Sequence, residues 1–314
     1  MNTEVKMAVH AWANSLGDLV PVLKGIDTTT RMSDIRDAYA HMLAQNPAPA
    51  GVRFETVDMG GVPGTLVTPD IIKTDAVLMY IHGGAYIVGR PDGYHGIGGN
   101  YANRLGARVY MPDYRLAPEH RFPASINDTL RAYEWLLEQN VPARRIAFAG
   151  ESAGGAMVVS VMVAAKSQGL ALPAVGSSIS PWANLEHTGA SMSNREGLDP
   201  LNAKPVLDIL ARAFLGDTLA NHPLASPVFA DVTGLPPILV QIGENELMLS
   251  DAMRLATHLA DNRVRVNLEV WPAMFHAWHF YATRLPEAQQ AMESSVRFIE
   301  AGLADADRSQ AACT

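Results

Sequence analysis

The stretch RIAFAGESAGGAMVVSVMVAAKS, residues 145–167, contains a strand, a turn and a helix in succession. The apolar run Arg145–Gly150 predicts a buried strand, and Ser152–Ser167 predicts the helix. Between them, Gly150–Gly154 reads GESAG and matches G-x-S-x-G, the pattern of a nucleophile elbow. The alternative is a glycine-rich turn that Ser152 merely caps, and the flanking strand and helix argue against it. Ser152 is therefore the candidate nucleophile.

Strands and helices alternate on both sides of this segment. Short apolar runs predict strands at Ala76–Ile81 and Ala107–Asp113, and a helical spacing of apolar residues covers Ile126–Gln139. The runs AVGSSIS, PILVQIG and VNLEVW predict later strands. This alternation predicts an α/β protein with a mostly parallel central sheet and helices on both faces. With the elbow, the expected fold is that of an α/β-hydrolase with a helical cap.

A second glycine-rich segment follows the strand at Ala76–Ile81. It reads His82-Gly83-Gly84-Ala85 and precedes the elbow, as an oxyanion loop does in this fold. Glycines let the backbone approach a substrate closely. The predicted oxyanion donors are the amides of Gly83, Gly84 and Ala153. His82 is expected to be structural.

The general base and the acid should follow Ser152 in the order acid, then histidine. VNLEVWPAMFHAWH offers His276 and His279, and the strand and loop before it favour His276. The loop after PILVQIG carries Glu244, Glu246 and Asp251. From the residues alone, Glu246 and Asp251 are equal candidates for the carboxylate that orients the imidazole.

The chain outside the strands suggests a cover over the site. Residues 1–45 contain two predicted helices, and Asn46-Pro47-Ala48-Pro49 ends the second one. Because these helices precede the first predicted strand, they are expected to form an N-terminal cap. Residues 46–314 then form the catalytic domain. Within it, the strandless insertion at 182–226 carries one predicted helix, Pro205–Leu215, and is expected to complete the cap.

Composition excludes several other classes of protein. The 314 residues are 48% hydrophobic and carry a net charge of −8, which disfavours nucleic acid as a partner. The single cysteine, Cys313, rules out an internal disulfide. No apolar run has the length of a membrane span, so we expect a cytoplasmic protein without a membrane partner. The expected partner is a small-molecule ester, and the sequence leaves a homodimer open.

Several motifs together resemble the hormone-sensitive-lipase-like carboxylesterases, also called bacterial family IV, and within them the group that includes monoterpene lactone hydrolases. The matching segments cover most of the chain from Val77 onward: HGGAYIVG (82–89), DYRLAPEHRFPAS (113–125), GESAGG (150–155), SPWANL (180–185), IGENELMLSDA (242–252) and MFHAWHF (274–280). The resemblance implies a triad of Ser152, Glu246 and His276. The chain departs from the family pattern in having Glu246 where aspartate is usual and Ala85 where glycine is commoner.

These residues predict hydrolysis of short-to-medium acyl esters or small cyclic esters through an acyl-enzyme. Such chemistry requires no metal and no organic cofactor. The same triad would also suit a lactone, an amide or a carbamate. A non-catalytic ligand-binding module is the remaining alternative, and the presence of His276 argues against it.

Overall fold

The computed structural model describes residues 3–313, at whose centre lies an eight-stranded sheet. Its strands lie side by side in the order β1-β2-β4-β3-β5-β6-β7-β8. The strands are β1 (Val52–Asp58), β2 (Pro63–Pro69), β3 (Val77–Ile81), β4 (Arg108–Pro112), β5 (Ile146–Glu151), β6 (Val175–Ile179), β7 (Ile238–Gly243) and β8 (Val266–Trp271).

Most of this sheet is parallel. Only the pairs β1–β2 and β2–β4 are antiparallel, and the six strands from β3 to β8 run in one direction. Every residue of β3, β5, β6 and β7 is buried, because helices cover both faces of the sheet there. The predicted mostly parallel α/β architecture is confirmed. Its parallel strands bring the loops after β3, β5, β6, β7 and β8 to one edge of the sheet.

The helices occupy the connections and both chain ends. They are α1 (Thr3–Gly17), α2 (Leu19–Leu23), α3 (Met32–Leu43), α4 (His95–Leu105), α5 (Ala124–Glu138), α6 (Ala153–Ser167), α7 (Ser191–Asn194), α8 (Lys204–Leu215), α9 (Leu249–Asp261) and α10 (Pro286–Cys313). The most buried is α6, whose first thirteen residues are all buried against β5, β6 and α5. None of the helices within residues 3–313 combines the length and the apolarity needed to cross a bilayer.

The N-terminal segment has three helices where the sequence predicted two. The break falls between Gly17 and Leu19, where α1 ends and α2 begins. Pro21 lies in the first turn of α2, where a missing amide hydrogen removes no helical hydrogen bond. The predicted insertion helix is present as α8, and the short helix α7 precedes it.

The N-terminal helices lie against the insertion and against the loops at the carboxyl edge of the sheet. Helix α1 packs on α3, and α2 packs on α8. From α3, the Arg36 guanidinium donates to the carbonyl oxygens of Ile87 and Ala117, each at 2.9 Å, and pairs with Glu119. These bonds fasten α3 to the segment that follows the glycine-rich loop and to the segment that follows β4.

Candidate active site

Ser152 lies on a strained turn between β5 and α6. Its backbone has φ +58° and ψ −120°, which is unusual for a residue with a side chain. The neighbouring glycines allow this turn to pack on the end of β3. A Cβ at Gly154 would lie 2.0 Å from the carbonyl oxygen of Ile81, and one at Gly150 would lie 2.6 Å from the same atom. The turn therefore requires glycine at both positions.

The backbone of Ser152 is also tied to the neighbouring strand. Its amide donates to the carbonyl oxygen of Ile179 at 2.9 Å, and its own carbonyl oxygen accepts from the amide of Trp182 at 3.0 Å. These bonds join the turn to the last residue of β6 and to the segment just after it. The half-buried side chain of Ser152 is thereby presented from a rigid support.

The structure brings His276 and Glu246 together beside this turn. His276 Nδ1 lies 2.7 Å from Glu246 Oε2, and both residues are buried. The two side chains come from the loops after β8 and β7, respectively. Ser152 and His276 line the same pocket. Of the two carboxylates that the sequence left open, Glu246 is the one bonded to His276.

The second carboxylate oxygen of Glu246 is held by two donors. Glu246 Oε1 accepts from the amide of Gly243 at 2.6 Å and from Ser180 Oγ at 2.8 Å. Ser180 Oγ in turn accepts from the amide of Ala277 at 3.1 Å. The serine hydroxyl thus joins the acid loop to the histidine loop. Sequence reasoning did not assign this role to Ser180, although it lies in the SPWANL motif.

Asp251 and His279, the other candidates for the carboxylate and the base, have different partners. Asp251 is buried on α9, where its Oδ1 accepts from Asn184 Nδ2 at 3.1 Å, and burial raises its pKa to about 6. His279 is buried with its Nε2 2.9 Å from Gln241 Oε1, and burial lowers its pKa to about 3. Both side chains therefore serve the packing around the site.

The environment of His276 favours its protonated form. Burial alone would lower the pKa of His276, but the hydrogen bond and the charge of Glu246 outweigh burial. Asp199 and Glu151 add smaller contributions of the same sign. The pKa of His276 is therefore raised above its ordinary value of about 6.5.

The glycine-rich loop follows β3, as predicted, but one of its two expected oxyanion donors is already engaged. The Gly83 amide donates to Glu151 Oε1 at 2.5 Å and so cannot also bind an oxyanion. Gly84, with φ +98°, and Ala85, with φ +55°, line the pocket beside Ser152. The prediction for Gly83 is corrected, because its amide turns toward the buried carboxyl group of Glu151. Ala85, which was not predicted, occupies the pocket wall instead.

Glu151 is the variable residue of the G-x-S-x-G pattern, and it is almost fully buried. Besides the Gly83 amide, it accepts from the Tyr80 hydroxyl at 2.5 Å. Burial raises the pKa of Glu151 to about 8, against the opposing effect of these hydrogen bonds. Glu151 thus joins β3, the glycine-rich loop and the serine turn. In the sequence, only its position next to Ser152, the candidate nucleophile, pointed to this residue.

The pocket at Ser152 is small and mostly apolar. The space between its side chains is about 20 Å³, room for little more than one water molecule. Its walls come from α1, α3, α8 and the loops at the edge of the sheet. The larger apolar members of the lining are Trp12, Leu16, Tyr39, Trp182, Leu201, Leu207, Leu210 and Met248. Within residues 3–313, no three carboxylate, histidine or cysteine side chains are grouped as metal ligands would be.

Comparisons with known proteins show the family to which this chain is similar. Residues 78–280 match the family model described as the alpha/beta hydrolase fold. An acetyl-hydrolase of Streptomyces hygroscopicus is 38% identical over 77% of this chain and 84% of its own length. A crystal structure of an esterase from the bacterial hormone-sensitive lipase family is 37% identical, with a TM-score of 0.84 over 92% of this chain and 98% of that one. EstE5, in a crystal soaked with p-nitrophenyl butyrate, is 32% identical, with a TM-score of 0.82 over 92% of this chain and 99% of that one.

The fold and these matches define an α/β-hydrolase. Within that class, the chain belongs to the hormone-sensitive-lipase-like carboxylesterases, the family that its motifs resemble. The prediction that the protein is a carboxylesterase is confirmed at this level, and a small-molecule ester is its substrate class.

Proposed function

We propose that the protein hydrolyses short-chain carboxylic esters through an acyl-enzyme on Ser152, with His276 as general base and Glu246 as its orienting carboxylate. The observation that carries the proposal is the 2.7 Å contact between His276 Nδ1 and Glu246 Oε2, beside the pocket that holds Ser152. Because Nδ1 donates its hydrogen to Glu246, Nε2 keeps a lone pair. That lone pair can accept the Ser152 proton.

Acylation then follows from these positions. Ser152 Oγ attacks the ester carbonyl as His276 takes its proton, and the carbonyl oxygen becomes an oxyanion. The amides of Gly84, Ala85 and Ala153 are the proposed donors to that oxyanion, and the amino end of α6 adds a favourable dipole. The protonated His276 gives its proton to the leaving alcohol, which leaves the acyl group on Ser152.

Deacylation uses the same groups with water in place of the alcohol. His276 removes a proton from the water as the oxygen attacks the acyl carbonyl. The second oxyanion collapses, the Ser152 oxygen leaves, and His276 returns the proton to it. The products are the carboxylic acid and a regenerated Ser152.

The small pocket supports a preference for short acyl groups. Its 20 Å³ of free space and its bulky walls favour the smallest acyl groups, because each added methylene has to displace wall side chains. EstE5, which shares this fold at 32% identity, was soaked with the butyrate ester p-nitrophenyl butyrate. An ester panel that varies acyl length and alcohol bulk separately tests this range.

We propose that residues 1–45 and the insertion at 182–226 act together as the cap over this pocket. The insertion is part of the catalytic domain, residues 46–314, whereas residues 1–45 precede that domain. Trp12 of α1 and Tyr39 of α3 line the pocket, and the Trp12 indole donates to the Tyr39 hydroxyl at 2.9 Å. Trp12 also packs edge-on against Phe280, with ring centroids 5.3 Å apart. The N-terminal cap is thus joined to the loop that carries His276.

We expect Trp12→Ala to raise kcat/KM for a hexanoate ester relative to an acetate ester, because it removes a bulky wall from the pocket. Met7→Ala is the matched control, since Met7 lies on the same helix but is 69% exposed. The measurement is kcat/KM against acyl length for both variants, with melting curves to confirm folding. An unchanged length profile in Trp12→Ala would show that α1 does not shape the acyl site.

Activity should fall as the pH drops through the pKa of His276, because only the neutral imidazole can accept the Ser152 proton. The pKa of His276 is raised, so the midpoint of this loss should lie above about pH 6.5. The measurement is kcat/KM between about pH 5 and 9 on an ester that does not ionise in this range. A profile that is flat from about pH 5 to 8 would contradict the assignment of His276 as base.

A further inference from the structure

The Trp182 side chain forms part of the wall of the pocket at Ser152, and it is completely buried. Its backbone amide is bonded to the carbonyl oxygen of Ser152, so the start of this wall is fixed to the nucleophile turn. Its ring packs against Tyr86, with centroids 6.0 Å apart. The orientation of the indole ring is fixed by a further pair of bonds.

A chain of two hydrogen bonds starts at the indole nitrogen and holds the ring in this orientation. Trp182 Nε1 donates to His187 Nε2 at 2.9 Å, and His187 Nδ1 lies 2.7 Å from Asp208 Oδ1. The indole and imidazole planes differ by only 9°, as expected when the hydrogen bond lies in the plane of both rings. The carboxylate of Asp208 also pairs with Lys204 at 2.9 Å.

Only one tautomer of His187 satisfies both bonds. The indole nitrogen can only donate, so His187 Nε2 carries the lone pair and Nδ1 carries the hydrogen that it donates to Asp208. The side chain of His187 is 1% exposed, and burial lowers its pKa against the opposing effect of Asp208. The ring therefore stays neutral near pH 7 and keeps the lone pair that holds the indole.

These bonds connect the pocket wall to the insertion. Asp208 lies on α8, next in sequence to Leu207, and both Leu207 and Leu210 line the same pocket as Trp182. The position of Trp182 is thus coupled to that of α8. His187 itself adopts φ +51°, a conformation that most side chains avoid, so the surrounding structure holds it in place.

We propose that His187 and Asp208 are positioning residues that hold the Trp182 indole in the pocket wall and thereby limit the size of the ester that the pocket accepts. This inference rests on the proposed function of the Ser152 pocket. A small ester fits beside the indole, whereas a larger one has to displace it and break its bond to His187. The free energy needed to displace the indole therefore raises the activation barrier for large esters and leaves that for small esters unchanged.

The test measures the ratio of kcat/KM for p-nitrophenyl hexanoate to that for p-nitrophenyl acetate in His187→Asn and Asp208→Ala. Asparagine tolerates the left-handed backbone at 187 but is too short to bridge both partners. We expect the ratio to rise about fivefold in each variant. A factor of this size corresponds to the loss of one hydrogen bond that resists displacement of the Trp182 indole. The kcat/KM for p-nitrophenyl acetate should stay within about twofold of the parent, since this small ester does not displace the indole.

Lys204→Ala is the matched control, because it removes the ion pair to Asp208 and leaves the bonds between Trp182, His187 and Asp208. Its ratio should equal that of the parent. If His187→Asn does not fold, Asp208→Ala still decides the question, since the Asp208 side chain is 33% exposed. In a Trp182→Phe background, which lacks the indole hydrogen, Asp208→Ala should change the ratio by less than about 1.5-fold.

A ratio that stays the same or falls in both His187→Asn and Asp208→Ala would overturn the positioning role. So would an Asp208→Ala effect that is as large in the Trp182→Phe background as in the parent. Labelling of each variant with an organophosphate separates this failure from that of the proposed function. If Ser152 is not labelled in the parent, the proposed function fails; if Ser152 is labelled but the ratios do not move, only the positioning role fails.

Discussion

Replacing Ser152 with alanine is expected to lower kcat for a short-chain ester by roughly 10⁵- to 10⁶-fold, the loss typical when a catalytic serine is removed. The alanine has no oxygen to attack the carbonyl, so no acyl-enzyme can form. Folding should survive, because the bonds that hold the turn come from the backbone of Ser152 and not from its hydroxyl. The measurement is the ester hydrolysis rate, with mass spectrometry after organophosphate treatment to find the labelled residue.

Ser160→Ala is the matched control for this variant. Ser160 lies on the same helix, α6, and is fully buried, and its Oγ has no hydrogen-bond partner within the described part of the chain. The same chemical change at that position should leave kcat within about twofold of the parent. Activity that persists in Ser152→Ala, or labelling at a different serine, would refute the assignment of Ser152 as nucleophile.

Glu246→Gln is expected to lower kcat by about 10⁴-fold, the size of the effect when a triad carboxylate becomes an amide. The two donors at Glu246 Oε1, Gly243 N and Ser180 Oγ, will claim the amide oxygen of glutamine. Its NH₂ group then faces His276 Nδ1, which must accept instead of donate. This puts the imidazole hydrogen on Nε2, where the proton of Ser152 should be received.

Asp251→Asn is the control, because Asp251 is an equally buried carboxylate of the same region that does not contact His276. It should cost less than about tenfold in kcat. The two variants are compared by kcat and kcat/KM on one ester, with melting curves alongside. A larger loss in Asp251→Asn than in Glu246→Gln would mean that the catalytic carboxylate has been misassigned.

The local sequence was enough to predict the α/β class and the serine turn. Residues 145–167 contain an apolar run typical of a buried strand, then G-x-S-x-G, then an apolar run long enough for a helix. Glycines on both sides of a serine, between a strand and a helix, are typical of the nucleophile elbow. VNLEVW was predicted as a strand and is β8, Val266–Trp271, without a shift in its ends. The helix after the turn begins at Ala153 instead of Ser152, because the left-handed φ of Ser152 is not helical.

The choice between Glu246 and Asp251 could not be made from chain order and element type alone. Both residues follow β7 and both are buried, so hydropathy and spacing treat them alike. Their difference is a matter of direction: Glu246 points across to the loop after β8, whereas Asp251 points from α9 toward Asn184. The family resemblance favoured Glu246, because the family pattern places the acid at that position. Hydropathy and spacing in this sequence alone contain no such information.

The sequence by itself determined the class of the fold, the turn that carries Ser152 and the two segments that carry the candidate histidine and the candidate carboxylates. These depend on local patterns, such as periodicity and glycine placement, which act over a few residues. Only the tertiary structure decided that Gly83 donates to Glu151, that Ser180 joins the acid and histidine loops, and that His187 holds Trp182. Each of these contacts joins residues from different segments of the chain, and a hydrogen bond depends on distance and direction in space, which local pattern does not encode.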